Sequence, residues 1–154
     1  MDKGILVSAF KFVIIVFVML LGKGLQAQDR NDWDLLSHAS FNEIFVKELY
    51  TFKSLLIVDD DIKSLEGQEL LITGYYIPVA IEENAIILSK TPFASCFFCG
   101  SAGQETVIDV RFADPLRKKF AADDRISVKG KLRLNDEDWD NLSFRLEDAV
   151  LISH

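Results

Sequence analysis

Residues 125–135 read Arg-Ile-Ser-Val-Lys-Gly-Lys-Leu-Arg-Leu-Asn, the cleanest alternation in the chain. Ile126, Val128, Gly130, Leu132 and Leu134 fall on one side, and Ser127, Lys129, Lys131, Arg133 and Asn135 on the other. A period of two, with one apolar and one polar face, is the pattern of a strand buried on one side and wet on the other. Gly130 interrupts the apolar face and is expected to bend the strand. A sheet is therefore the organising element, and the flanking segments are read against it.

On the C-terminal side, Asp136 to Asn141 form an acidic turn around Trp139, and Leu142 to Ser153 read as the last strand. Phe144 and Leu146 share a face there, continued by Val150 and Ile152. Asp148 lands where an apolar residue is due, so a bulge is expected near Glu147-Asp148. On the N-terminal side, Ala113-Asp114-Pro115 has the composition of a helix start, with Asp114 as cap and Pro115 at the first helical position, which predicts a short helix through about Phe120. Before it, Glu105 to Phe112 reads as a strand. Val107, Asp109 and Arg111 lie on one side of that strand and Ile108, Val110 and Phe112 on the other. Earlier still, Glu69 to Ala80 (ELLITGYYIPVA) is rich in β-branched and aromatic residues and reads as a long strand, with Gly74 marking a bend and Pro78 ending regular pairing. After the polar turn Glu82-Glu83-Asn84, Ala85 to Ser89 completes a hairpin.

The order from Glu66 onward is three strands, a short helix and two strands. That is the order of a five-stranded oligonucleotide/oligosaccharide-binding (OB) barrel, whose helix lies between strands 3 and 4. A split β-sandwich is the competing architecture. The fold class expected is mainly β, with the OB-like barrel over residues 66–154.

Residues 28–65 are expected to be an N-terminal lead-in. Residues 28–34 are polar and read as flexible up to Trp33. Phe41, Ile44, Phe45, Glu48, Leu49 and Phe52 fall near helical spacing and predict a helix over 41–50, although their β-branched and aromatic content also suits short strands. Leu55 to Val58 is a short apolar run. Asp59-Asp60-Asp61 lacks the alternating ligands, glycine and distal acid of a calcium loop. It reads instead as an exposed turn capping Ile62 to Leu65.

The first 27 residues do not resemble the rest. Lys3 and Lys11 precede Phe12 to Gly22, an unbroken apolar run of 11 residues, and Ala27 supplies a small residue before polar chain. This is the layout of a secretory signal peptide cut after Ala27. The alternative is a retained anchor, but a spanning helix needs roughly 20 apolar residues, and Lys11 and Lys23 bracket the run. After such a cut no stable membrane span is expected. Residues 1–27 hold three of the 17 basic and one of the 24 acidic residues, so the 127 that follow carry 14 and 23, a net charge of −9. That balance argues against a nucleic-acid partner, which would be met by clustered Lys and Arg. The predicted location is the periplasm or cell envelope.

Trp33-Asp34-Leu35-Leu36, Leu65 to Glu69, Ile72 to Pro78, the PFASCFFCGSAG segment of residues 92–103 and Lys129 to Leu132 together resemble a family of small exported bacterial proteins of unknown function with an OB-like barrel, often encoded beside ABC-type permeases. The resemblance covers most of residues 28–154. It implies an envelope location and a protein partner in an ABC-type permease complex. It implies no activity, and no catalytic role carries over.

One constellation carries chemistry. Cys96-Phe97-Phe98-Cys99 lies in a loop of 15 residues, 90–104, and loops that long are often functional. As metal ligands, Cys96 and Cys99 would hold one edge of a tetrahedral site for zinc or another thiophilic metal. Glu105 or Asp109 could extend the set, or a dimer could supply four thiolates. As a redox pair they lack the helix that follows a thioredoxin-type motif, since Gly100-Ser101-Ala102-Gly103 comes next. A c-type haem site fails because Gly100 stands where histidine is required. As structural residues they would form a local disulfide or two buried thiols, with Phe93, Phe97 and Phe98 packing the loop across the barrel mouth. His38 reads as a surface or capping residue. Tyr75, Tyr76 and Phe144 are candidates for a stacking platform. With no Gly-x-Ser-x-Gly elbow and no phosphate-cradling loop, the chain reads as an accessory or binding module rather than an enzyme. A thiol–disulfide protein and a purely structural domain are the alternatives.

Overall fold

The computed structural model describes residues 31–79, 84–138 and 140–154. The expected leader, most of the turn at residues 82–84 and Trp139 lie outside these. Two short helices come first in the barrel's approach, α1 (Trp33–Leu36) and α2 (Asp60–Lys63), separated by the hairpin of β1 (Ser40–Val46) and β2 (Thr51–Ile57). Five strands follow: β3 (Glu69–Ile77), β4 (Ala85–Ser89), β5 (Val107–Phe112), β6 (Arg125–Leu134) and β7 (Phe144–Ser153).

These five close into a barrel in the order β3-β4-β5-β7-β6, with β6 returning to β3. Four of the pairings are antiparallel and β5–β7 is parallel, so the barrel is mixed. Its interior is apolar. Ile126, Val128 and Leu132 of β6 are buried there, beside Leu70, Ile72, Leu88, Ile108, Val110, Phe144 and Leu146. The alternation in residues 125–135 thus becomes an inner and an outer face. At Gly74, β3 passes so close to β4 that a Cβ would lie 2.7 Å from the Ser89 carbonyl oxygen. Only a residue without a side chain permits that approach.

The bulge near Glu147-Asp148 is present. Asp148 has φ 51°, and the β6–β7 register shifts between Lys129 and Lys131. Its consequence differs from expectation. One extra residue reverses the facing of everything after it. Ala149 is buried and Leu151 half-buried, both packing on the core, while Val150 and Ile152 are exposed. Val150 and Ile152 therefore do not continue the face of Phe144 and Leu146.

Two expected helices are absent. Residues 41–50 form β1 and its turn, not a helix. Phe41 pairs with Leu56 and Phe45 with Phe52, whose rings sit 5.2 Å apart. The pairing of β-branched and aromatic side chains across the hairpin overrides the near-helical spacing. Residues 115–120 have no regular helix either. The Leu116 N–H donates to Asn84 Oδ1 at 2.6 Å, and Leu116 and Phe120 both pack on the core, Phe120 with its ring 5.7 Å from that of Tyr76. Positions four apart share a face in a helix and in a strand alike, so the spacing of Leu116 and Phe120 does not choose between them; the contacts with Asn84 and Tyr76 come from outside the segment.

The triple aspartate behaves as read. Asp59 caps α2, its Oδ1 accepting from the Ile62 N–H at 2.9 Å. Of the lead-in expected to be flexible, residues 28–30 lie outside the described residues, and Asn31 to Trp33 are anchored. Asp32 exchanges two hydrogen bonds with Leu71, and Asn31 two with Thr73. Trp33 Nε1 also donates to the Thr73 carbonyl at 2.9 Å. These residues satisfy the part of the β3 edge that β4, pairing only from Tyr75 to Ile77, does not reach. Asn31 to His154 form one compact unit, with Trp33, Leu36, Leu56, Ile62 and Leu65 in the same interior cluster as the barrel strands.

Candidate functional site

The cysteine loop connects β4 to β5, and its neck is closed by the Lys90 N–H donating to the Thr106 carbonyl at 2.8 Å. It is built from three single 3-10 turns, Phe93–Ser95, Phe97–Cys99 and Gln104–Thr106. Gly100, at φ 72°, ends the middle turn in a backbone region that favours glycine. Asp123, on the connection before β6, accepts from the Phe93 N–H at 2.6 Å and ties the loop to the barrel.

The two cysteines have different environments. Cys96 is fully buried on the outside of the barrel wall with Ile77 and Ile87, and Val79 and Leu142 pack against this second cluster. Cys99 is exposed, and its Sγ donates to the Phe93 carbonyl at 3.1 Å. Both are thiols in the structure. The Cys99 thiol is pushed above its ordinary value of 9.0, first by partial removal from water and then by the neighbouring Cys96 sulfur. A thiol shifted in that direction carries little thiolate at neutral pH and attacks disulfides slowly. Among the described residues, no group of three or more His, Cys, Asp and Glu is placed to hold a metal. Cys96 and Cys99 thus offer two thiol ligands in one chain, and neither Glu105 nor Asp109 joins them as a set. His38 is exposed, as expected.

The loop also walls a hollow of about 380 Å³ on the outer face of β4 and β5. Phe97, Phe98 and Gln104 come from the loop, Val79 from the end of β3, and Asp140, Asn141 and Leu142 from the β6–β7 connection. Ile87, Asp109 and Arg111 come from the barrel wall. Phe97 and Phe98 meet edge to face at 5.4 Å. A hollow of this size lies within the range of about 300–1,000 Å³ typical of small-molecule sites.

The polar centre of the hollow is Asp109. It is 8% exposed, and its Oδ2 accepts from Arg111 Nε at 3.1 Å and Arg145 Nε at 2.9 Å. The topology causes this convergence. Arg111 lies two residues along the same strand, hence on the same face, and Arg145 is the partner of Asp109 in the parallel β5–β7 register. The other carboxylate oxygen, Oδ1, is shielded from water and has no hydrogen-bond partner. A buried acceptor left in this way costs about 1–3 kcal/mol. Two amides near it are oriented by their neighbours. Gln104 Oε1 accepts from Ser143 Oγ at 3.0 Å, and Asn141 Nδ2 donates to Asp138 Oδ2 at 2.6 Å.

Tyr75, Tyr76 and Phe144 do not make a common platform. Phe144 is fully buried in the core, Tyr76 packs on Phe120, and Tyr75 lines a separate hollow with Trp33, Lys90 and Arg125. Side chains of neighbouring residues in a strand point to opposite faces, which separates Tyr75 from Tyr76. The Asp109–Arg111–Arg145 cluster was not singled out from sequence. The signal for it was a strand with Asp109 and Arg111 on one side, directly following the longest loop.

Among the described residues no helix is long and apolar enough to cross a membrane. No family model, no curated protein and no solved structure matches this chain.

Proposed function

We propose that the chain is an exported, non-enzymatic binding module of the cell envelope, and that its recognition surface is the hollow between the cysteine loop and the β6–β7 connection. The observation that carries this is the hollow itself: an open cavity of about 380 Å³ with an aromatic side, Phe97 and Phe98, and a charged wall, Asp109 and Arg111. A concave, partly apolar pocket with a few convergent polar groups is the usual form of a binding site. The strand order supports the reading. Counting β3 as the first barrel strand, the ring runs 1-2-3-5-4, the order of an OB-type barrel, and such barrels bind across the second and third strands between the loops flanking the hollow here. The cysteine loop serves as a wall, held by the buried Cys96. The leader-like residues 1–27 and the family resemblance support export and an association with an ABC-type permease complex.

A filling variant tests the reading. Asn141→Arg, at an exposed position lining the hollow, is expected to abolish ligand or partner association while the melting temperature stays near that of the parent. Retained association would sink the proposal. Osmotic-shock fractionation with mass spectrometry of the N-terminus tests the location; a chain found in the cytoplasm and still carrying residues 1–27 counts against export.

A second reading has the adjacent thiols bind zinc or another thiophilic metal. It requires ligands from another molecule, because two thiols make half of a tetrahedral set. Metal analysis under reducing conditions separates the two: about one metal per two chains, with Cys99 protected from alkylation, is the result a shared site requires.

A further inference from the structure

We infer that the turn of the β1–β2 hairpin is a membrane-contacting tip, whose side chains Phe45, Leu49, Tyr50 and Phe52 enter the interfacial layer of a zwitterionic lipid bilayer. The inference stands apart from the hollow beside the cysteine loop and uses none of its residues.

The starting point is exposure. Among the described residues ten large apolar side chains are exposed, and four of them fall within the eight positions from Phe45 to Phe52. Phe45 is 53% exposed, Leu49 54%, Tyr50 82% and Phe52 65%. Phe45 and Phe52 are paired directly across the hairpin, so their rings share a face and lie 5.2 Å apart. At the base of the same face Phe41 and Leu56, also paired, pack on the core. The chain itself therefore covers the base of this face and leaves the turn end open. Single exposed apolar residues are ordinary, whereas a cluster of them marks an interaction site.

Tyr50 adds a backbone observation. Its φ is 49°, in the left-handed region that glycine or asparagine takes readily and a bulky side chain rarely. Its ring is the most exposed of the four, so contacts within the chain do not offset that strain. Strain of this kind gathers at functional positions. A strained and exposed ring has its use outside the chain.

Area and charge select the occupant. The exposed parts of the four side chains amount to about 500 Å², given the size of large apolar side chains. A stable protein interface or dimer takes about 800 Å² from each partner, so the tip is too small to hold a protein by itself. A bilayer sets no such minimum, because binding grows with each apolar side chain buried at the boundary of headgroups and acyl chains. Tyrosine suits that depth, with its ring in the apolar layer and its hydroxyl in the wet one. Charge agrees. Residues 28–154 carry −9, yet between Ile44 and Phe52 the only charges are Lys47 and Glu48, which cancel. Anionic lipids repel the chain as a whole; a zwitterionic surface meets no such opposition at this neutral tip.

The test uses ¹H–¹⁵N NMR spectra of the full chain with phosphatidylcholine bicelles containing a doxyl-labelled lipid, which broadens amides close to the bilayer. The signals of Lys47 to Phe52 are expected to be lost, while those of Val110 and Leu146 in the barrel persist. Tyr50→Asn combined with Phe52→Thr, and separately Leu49→Gln, are each expected to restore the signals at the tip. All three side chains are exposed, and Tyr50→Asn alone is expected to leave the melting temperature unchanged or raised, since asparagine relieves the strained φ. Tip signals that persist in the parent overturn the inference, whether or not the apolar run of residues 12–22 is broadened. Loss of the tip signals that survives the substitutions shows that other residues hold the chain at the bilayer, and also overturns it. A lipid-free dimer, seen by sedimentation velocity and abolished by the same substitutions without any lipid effect, assigns the tip to a second copy and overturns it as well.

Discussion

Cys99 and Asp148 show how much a single residue's surroundings decide. Cys99 sits in an exposed turn, yet its thiol is held above 9.0 by partial desolvation and by Cys96. The linkage has a definite sign. An unfolded thiol ionises around 9.0 and the folded one above it, so the folded state keeps its proton longer. The stability tied to this thiol is complete below pH 9.0 and falls as pH rises through the higher folded value. Alkylation of Cys99 by iodoacetamide, followed against pH in buffer and in urea, should show its inflection at higher pH in buffer. Coincident inflections would remove the argument. Asp148, at φ 51°, makes a similar point about the backbone. Aspartate tolerates the left-handed region better than most residues, so it is both the residue that breaks the apolar pattern and the one that suits the bulge. Its position was legible in sequence. The reversal of facing after it was not, because an extra residue changes phase only once its partner strand is known.

At the scale of elements, capping and pairing act with different reach. Asp59 caps α2 through a contact three residues away, and that contact is written in local sequence. Asp59→Ala should cost about 1 kcal/mol, read as a lower urea midpoint with unchanged slope; no change would mean that α2 is held by Ile62 and Leu65 packing alone. Asp114-Pro115 carries an equally good local signal and forms no helix. There the signal lost to long-range contacts, in which Asn84 takes the Leu116 N–H and Leu116 and Phe120 reach the core. The β1–β2 hairpin follows the same logic, since its two strands gain seven paired positions only by finding each other. The cysteine loop combines both kinds of control. Its 3-10 turns are local, but the burial of Cys96 depends on Ile77 and Ile87 from two different strands.

For the molecule as a whole, closure of the barrel depends on β3 pairing with both β4 and β6. Tyr75 pairs with Arg125 of β6 and with Ser89 of β4, so β3 changes partner there. Gly74 beside it leaves room for the crossing. Gly74→Ala should destabilise the fold by about 1–3 kcal/mol, the usual cost of overpacking, with unfolding still a single transition. Stability equal to the parent, measured by urea denaturation, would show that β3 and β4 can separate without penalty. The same closure creates the hollow, because it sets Val79, just past the end of β3, and described residues of the β6–β7 connection beside the β4–β5 face.

Alternation, turn residues and caps are properties of neighbouring positions, and from them the sequence alone determined the five barrel strands, the acidic cap on α2 and the loop bearing Cys96 and Cys99. Tertiary structure decided what depends on partners far apart in the chain: that Asn31 to Trp33 cover an edge of β3, that residues 115–120 stay extended, and that Asp109 meets Arg145 across a parallel register 36 positions away. The physical reason is range. Backbone preference and side-chain periodicity act over a few residues, whereas a buried charge cluster exists only where the closed sheet brings its members into one place.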